Sequence, residues 1–185
     1  MVKLLFLTSL VCVYAMEYCQ PGHQELFGTS CYELLTGTKT WQDTRDECSA
    51  MGGKMAVPDT PEEHAGIWKM FTEKIAVTSE GELWIGCEEN KTDGRWVQAG
   101  LGDYECVNLQ WASKQPSNHA KEHCLEMRGQ FDGKLNDRQC DEPNYGMCEF
   151  NVITGTTTLP HRASASPVLF CLEADDDGYF KSPRA

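Results

Sequence analysis

Two stretches of the chain combine a helix-capping pattern with a regularly spaced apolar stripe. In the first, Thr40 is a suitable N-cap and Asp43 stands at the N3 position. Trp41, Cys48 and Met51 then share one face before Gly52 and Gly53 end the helix. In the second, Thr60 is the N-cap, Pro61 the first helical residue and Glu63 the capping-box residue. The apolar stripe of this second predicted helix consists of Ile67, Trp68, Phe71 and Ile75.

Beyond the second helix the apolar residues occur in short runs that are typical of strands. The candidates are residues 83–85, 96–97, 124–127 and 145–150. Residues 99–123 are polar and Gly-rich and show neither a helical nor a strand period, and so long a stretch within a compact domain is usually functional. Helices followed by strands around an irregular loop predict an α+β fold.

The first 15 residues have the pattern of a secretory signal peptide. Lys3 provides the positive charge, residues 4–13 are mostly apolar, and residues 13–15 offer a cleavage site. The alternative is a membrane anchor, but a span needs roughly 20 apolar residues. We therefore expect an exported, soluble, extracellular protein that begins near Met16.

The chain is acidic, with a formal net charge of -12. Removal of residues 1–15 takes away one basic residue and no acid, which leaves 15 basic and 28 acidic side chains and a charge of -13. Such a surface repels nucleic acid, whose binding depends on Lys and Arg.

The cysteines indicate a disulfide-stapled domain. There are ten: Cys12, Cys19, Cys31, Cys48, Cys87, Cys106, Cys124, Cys140, Cys148 and Cys171. Cys12 leaves with the signal peptide, and nine cysteines in an oxidising compartment favour disulfides over zinc or redox chemistry. One thiol is left over, and eight paired cysteines alone allow 105 connectivities.

The C-terminal segment, residues 151–185, differs in composition from residues 19–150. Residues 154–167 are rich in Thr, Ser, Ala and Pro, which predicts an unstructured tail. Glu173, Asp175, Asp177 and Gly178 resemble the start of an EF-hand loop. However, Arg184 stands where the closing Glu belongs, so a solvated acidic tail is the better interpretation.

Several motifs, taken in order, resemble one family. Two helices are followed by Trp84-Ile85-Gly86, by Gln115-Pro116-Ser117, and by Asn136-Asp137 shortly before a cysteine. This combination is similar to the long form of the C-type lectin-like domain, and the resemblance covers 132 of the 185 residues, 19–150. It implies two helices, small antiparallel sheets and a long irregular loop that binds calcium and sugar.

The resemblance also implies a disulfide map. Its pairs are Cys19–Cys31, Cys48–Cys148 and Cys124–Cys140. Cys87 and Cys106 are then left within the domain and pair by elimination, and Cys171 remains as a free thiol or a link between two chains.

The calcium ligands that the resemblance implies are Gln115, Ser117, Glu122, Asn136 and Asp137, and the same side chains are expected to bind the carbohydrate. Calcium prefers carboxylate and amide oxygens, which four of the five supply. Ser117 is a departure, because the family has Asn or Asp there and a hydroxyl is a weaker ligand. The resemblance also implies a cis peptide bond between Gln115 and Pro116.

Other departures concern packing and a second calcium site. Leu135 stands where the family usually has Trp, and His23 where it commonly has Trp. By position, Glu89 and Asp93 are candidate ligands for the second calcium. Asn118 and His123 replace acids there, so we expect that site to be lost.

Alternative chemistry is less well supported. His119 and His123 have the spacing of zinc ligands on a helix, but they lie in a loop, where exposed histidines are more common. The chain has neither GxSxG nor HExxH, which argues against a hydrolase. Asn90-Lys91-Thr92 is an N-glycosylation sequon. Trp111 precedes the loop site and is expected to pack beneath it.

The sequence thus predicts a secreted, calcium-dependent lectin. A preference for galactose-type glycans follows from the resemblance, in which Gln-Pro accompanies galactose and Glu-Pro accompanies mannose. Gln115 offers both a donor and an acceptor, whereas Glu offers acceptors only. The alternative is a calcium-independent module of the same fold that binds protein or ice.

Overall fold

The structure is a computed structural model that describes residues 11–20, 25–75, 81–102, 104–157 and 168–172. They belong to two compact units. The larger is Cys19–Asn151, and the smaller combines Met1–Tyr18 with Val152–Ala185. His23, most of the apolar run at residues 4–13, and the acidic residues from Glu173 onwards lie outside the described residues.

The described residues contain two α-helices, α1 (Trp41–Ala50) and α2 (Pro61–Ile75), and a 3-10 helix, Gly129–Phe131. The strands in chain order are β1 (Val11–Tyr18), β2 (Glu25–Phe27), β3 (Ser30–Leu34), β4 (Lys54–Met55), β5 (Glu82–Glu89), β6 (Trp96–Gln98), β7 (Cys124–Arg128), β8 (Leu135–Arg138), β9 (Tyr145–Asn151), β10 (Ile153–Thr157) and β11 (Val168–Leu172). Within the described residues, neither helix is long and apolar enough to span a membrane.

Both helices begin as their capping patterns predict. Thr40 Oγ1 accepts a hydrogen bond from the backbone N–H of Asp43 at 3.2 Å, and Thr60 Oγ1 accepts one from Glu63 at 3.1 Å. The prediction for Met51 is wrong. Met51 is the C-cap of α1 and is 40% exposed, whereas Trp41 and Cys48 on the same helix are buried.

The larger unit is built on a sheet whose strand order is β2-β3-β9-β5-β7-β8, with β4 paired to β9 and β6 to β5. The β5–β9 pair is parallel, and the other pairs of this sheet are antiparallel. The expected α+β class and the C-type lectin-like arrangement of two helices with small sheets are confirmed. The sheet brings β7 and β8 side by side next to the long loop.

The Trp84-Ile85-Gly86 motif lies where β5 crosses β4. Trp84 and Ile85 are fully buried, and a Cβ atom on Gly86 would lie 2.7 Å from the Cβ of Met55. No larger residue fits there without moving β4. Trp41 is also buried, and its Nε1 donates to the carbonyl oxygen of Ile85 at 2.8 Å.

Four disulfides staple the larger unit within the described residues. Three are the pairs that the family resemblance implies, and the fourth is the pair left by elimination. They are Cys19–Cys31, Cys48–Cys148, Cys87–Cys106 and Cys124–Cys140. The Cys48–Cys148 bond spans 100 residues and ties α1 to β9. In the chain-entropy model a loop of that size stabilises the fold by about 4–5 kcal/mol.

The smaller unit is a three-stranded antiparallel sheet of order β10-β1-β11. The structure differs here from the expectation of an unstructured tail, because residues 153–157 and 168–172 both pair with β1. Each segment is rich in β-branched or large apolar residues, which favour strands when a partner is available. All the partners of β11 are residues of the predicted signal peptide, Val11 to Ala15.

Candidate functional site

The long loop is attached at its base to β8 through Leu135. The Leu135 amide donates to the carbonyl oxygen of Gln110, and the Leu135 carbonyl accepts from Ala112, both at 2.9 Å. Its side chain is fully buried. Trp111 packs edge-on against Trp96 with 5.2 Å between ring centroids, so it lies beneath the loop as expected. This attachment brings the loop beside the next two residues of β8, which are candidate ligands.

The Gln115–Pro116 peptide bond is cis, which confirms the conformation implied by the resemblance. The Gln115 backbone amide donates to Ala112 at 3.1 Å and closes a tight turn. The side-chain Oε1 of Gln115 is buried and accepts no hydrogen bond from any residue that the structure describes. A buried oxygen without a donor lacks several kcal/mol of compensation that a cation or a ligand hydroxyl can supply.

Asp137 anchors the other side of the loop. Its carboxylate is fully buried and accepts the Ser117 amide with Oδ1 at 2.8 Å and with Oδ2 at 2.9 Å. The Asn118 amide adds a third bond to Oδ2 at 2.8 Å. A carboxylate has about four acceptor positions, so three amide contacts leave room for one more partner.

Glu122 lies close enough to Asp137 for the two charges to interact. Burial raises the pKa of Glu122, and the negative charge of Asp137 raises it further, while Arg138 and Arg128 lower it. Two carboxylates that repel one another are stabilised when a cation lies between them. The Glu122 amide donates to the Asn118 carbonyl at 2.9 Å, which fixes the end of the loop.

Asn136 is hydrogen-bonded to Glu126, a residue that no sequence motif identifies as part of the site. The two stand opposite each other on β8 and β7, and Asn136 Nδ2 donates to Glu126 Oε1 at 2.8 Å. Glu126 is fully buried, and its Oε2 accepts from Asn144 Nδ2 at 2.6 Å. Burial raises the pKa of Glu126 to about 7, and the negative charge of Glu82 contributes to this rise. The hydrogen bonds from Asn136 and Asn144 and the charge of Arg128 lower it in part.

The five candidate ligands therefore occupy one region where the loop meets β8. Asp137 accepts a hydrogen bond from the Ser117 amide, and its negative charge raises the pKa of Glu122. Asn136 directly precedes Asp137 in β8. Gln115 joins them through Pro116, and its unpartnered oxygen fits a cation that prefers oxygen ligands. Within the described residues, no three His, Cys, Asp or Glu side chains form a metal-binding group, and only two of these five candidates are carboxylates.

The candidates for a second calcium are engaged with other partners. Glu89 Oε1 accepts from His119 Nδ1 at 2.7 Å, and Glu89 Oε2 accepts from His123 Nδ1 at 2.8 Å. Asp93 instead binds Arg95, whose hydrogen bonds lower the pKa of Asp93. The structure thus does not bring Glu89 and Asp93 together around one ion.

The two histidines were expected to be exposed loop residues. His119 is 56% exposed in its side chain and His123 is 20% exposed. The shared contact with the buried Glu89 carboxylate could not be read from their spacing, because Glu89 lies some 30 residues earlier on β5. The histidines consequently tie the loop to the sheet.

The predicted glycosylation residue, Asn90, lies in the turn after β5. Its Oδ1 accepts a hydrogen bond from the Thr92 amide at 2.9 Å, and Asn90 is partly exposed.

The comparisons with known protein families, sequences and structures all identify the same family. The model of the lectin C-type domain matches residues 37–150. Human tetranectin is 24% identical over 126 residues, which cover 66% of this chain and 60% of tetranectin, so the chain spans less than two thirds of that relative. The carbohydrate-recognition domain of the mouse scavenger receptor C-type lectin has a TM-score of 0.61 and 26% identity, and the match covers 71% of this chain and 96% of that domain.

A calcium-independent type II antifreeze protein is similar in fold as well. Its TM-score is 0.64 at 22% identity, and the match covers 75% of this chain and 98% of that protein. Similarity at this level concerns the fold alone.

Proposed function

Because the chain belongs to the lectin C-type domain family, we propose that it is a secreted, calcium-dependent carbohydrate-binding lectin that prefers galactose-type glycans. Members of the family bind carbohydrate or protein and are not enzymes, and this protein is likewise a binding protein and not an enzyme. The proposal for calcium and for the glycan rests on the residues at the junction of the loop and β8.

The buried, unpartnered Oε1 of Gln115 is the observation that carries this proposal. The other candidate ligands would supply further oxygens: Ser117, Glu122, Asn136 and Asp137. Calcium, when bound there, accepts lone pairs from two neighbouring glycan hydroxyls. The protein's own contribution is to orient these hydroxyls through hydrogen bonds from the ligand side chains.

The preference for galactose-type glycans rests on the amide of Gln115. Its Nε2 donates and its Oε1 accepts, so it presents a different hydrogen-bond pattern from the acceptor-only Glu. Since only Glu122 and Asp137 are charged, calcium is expected to bind with a dissociation constant of about 0.1–1 mM, in the extracellular range.

The test is retention on galactose and mannose resins in calcium, followed by elution with chelator, with calcium binding measured separately by calorimetry. Retention on galactose resin and release by chelator support the proposal. Binding that persists in chelator, or no calcium heat at millimolar ion, contradicts it. A preference for mannose contradicts the specificity alone.

The second candidate is a calcium-independent module that binds protein or ice. It is favoured by the Asp137 carboxylate, because three backbone-amide contacts occupy lone pairs that a calcium ligand needs. The hydroxyl of Ser117, a weak calcium ligand, also favours the calcium-independent candidate. Persistence of ligand binding in chelator distinguishes this candidate from the first.

Secretion and modification complete the proposal. Cleavage after Ala15 and a glycan on Asn90 are both expected in the exported protein. Intact mass before and after enzymatic removal of N-glycans, compared between the natural chain and Asn90→Gln, tests both.

A further inference from the structure

Asn136 is a buried carboxamide, 4% exposed, that faces Glu126 across the β7–β8 pair. Its Nδ2 carries two protons, and both are engaged. One bonds to Glu126 Oε1 at 2.8 Å and the other to the backbone carbonyl oxygen of Asp137 at 2.7 Å. The Asp137 carbonyl can only accept, and Glu126 also only accepts when its carboxyl group is ionised.

These two acceptors determine that Nδ2, and not Oδ1, of the Asn136 carboxamide lies next to them. If the amide of Asn136 were turned over, Oδ1 would lie against the Glu126 carboxylate and the Asp137 carbonyl. Two oxygen–oxygen contacts in a buried site would replace two hydrogen bonds, which makes the turned-over orientation unfavourable. Among the residues that the structure describes, Nδ2 has two hydrogen-bond partners and Oδ1 has no such bond.

Glu126 is itself held in place. Its second oxygen accepts from Asn144 Nδ2 at 2.6 Å, and the Arg128 guanidinium lies 3.6 Å from the first. A fully buried carboxylate with partners on both oxygens cannot rotate freely.

We propose that Glu126 is a positioning residue that fixes the Asn136 carboxamide with its oxygen toward the candidate calcium site, an inference that rests on the proposed function.

The first measurement needs no calcium. In two-dimensional NMR spectra of the metal-free protein, the Asn136 side-chain amide signals are assigned by their loss in Asn136→Asp. In Glu126→Gln these signals are expected to shift and to exchange faster with solvent, because the acceptor becomes an amide that pairs in either orientation. Unchanged signals overturn the positioning role, whether or not the protein binds calcium.

The second measurement is calcium affinity by calorimetry in a double-mutant cycle. Glu126→Gln is expected to weaken calcium binding about tenfold or more when residue 136 is Asn, as loss of a residue that orients a ligand usually does. When residue 136 is Asp, the same change is expected to have no weakening effect, because a carboxylate presents oxygen in both orientations. Equal weakening in both backgrounds contradicts the proposal.

Ile67→Val is the control for general stability. It removes a methyl group from the buried face of α2 and leaves the side chains of Glu126 and Asn136 unchanged. Thermal stability is expected to fall while calcium affinity stays within about twofold. If Ile67→Val weakens calcium binding as much as Glu126→Gln does, Glu126 acts through general stability and the proposal fails. Should the protein bind no calcium at all, the proposed function fails, and the NMR comparison still decides the orientation of Asn136.

Discussion

Asp137 accepts the backbone amide of Ser117 with both carboxylate oxygens, at 2.8 and 2.9 Å. The bond joins the middle of the long loop to the end of β8, so a single side chain holds the loop and offers a ligand oxygen.

Replacement of Asp137 by Ala is expected to abolish calcium-dependent sugar binding and to speed hydrogen exchange at the amides of Ser117 and Asn118 in calcium-free protein. The fold survives, because the four disulfides of the larger unit are untouched. Resin retention and exchange mass spectrometry measure the two effects. Asp141→Ala, which removes an exposed charge nearby, is the control and keeps both properties. Normal sugar retention by Asp137→Ala contradicts the assigned site.

Gln115→Glu is expected to reverse glycan preference, because the side chain loses its donor and keeps only acceptors. Galactose retention should fall by about tenfold or more, the usual effect of a lost hydrogen bond to a charged or buried group. Mannose retention should rise. The same substitution at the exposed Gln130 controls for the added charge. An unaltered preference shows that Gln115 does not determine specificity.

A third carboxylate at position 117 is expected to strengthen calcium binding. The backbone of Ser117 is already fixed by Asp137, so Ser117→Asp adds charge at a defined position. The dissociation constant should fall by about tenfold, since ligand charge count sets calcium affinity. Calorimetry measures the change, and Ser113→Asp, an exposed position before the turn, is the control. No gain in affinity means that residue 117 is not a ligand.

His64 is expected to make folding stability sensitive to acid. Burial lowers its pKa below the ordinary value of 6.5, and its Nε2 contacts the Gly133 carbonyl oxygen at 2.9 Å. The unfolded chain therefore takes up a proton near pH 6.5 that the folded protein resists. Stability is fully present above that pH and falls as pH drops below it, by at most about 1.4 kcal/mol per pH unit.

The comparison that isolates His64 is with His64→Gln, which can still donate to Gly133. Urea unfolding at pH 7.5 and pH 5.5 should show a larger loss for the natural protein than for the variant. An equal loss in both proteins contradicts the assignment to His64.

Removal of residues 1–15 is expected to separate Cys171 from its neighbour in the smaller sheet. The backbone register places Cys171 opposite Cys12, and every partner of β11 lies within the predicted signal peptide. We predict a mature chain that begins at Met16 and forms a disulfide-linked homodimer through Cys171. N-terminal mass spectrometry and a non-reducing gel measure this, with Cys171→Ser as the monomeric control. A mature chain that retains residues 11–15, or one that runs only as a monomer on the non-reducing gel, contradicts it.

Local patterns were sufficient wherever one stretch of chain carries all the information. The caps at Thr40 and Thr60 were predicted correctly because a cap bonds residues only three positions away. The cis bond at Pro116, the four disulfides and the α+β class followed from motifs in a recognisable order. Met51 shows the limit, since the apolar pattern alone does not reveal that the end of α1 is left exposed, where Met51 is 40% exposed.

Only the tertiary structure assigned the partners of isolated polar residues. Glu126 is an acidic residue in a strand, and such residues usually face solvent, yet it is fully buried between Asn136 and Asn144. Glu89 likewise bonds to two histidines about 30 residues away. The sequence determined which oxygen ligands the loop contains, because residue type fixes donor and acceptor chemistry. Their orientation was decided by the register of β7 against β8 and by the attachment of the loop to Asp137, since contacts between distant segments depend on how the strands pair.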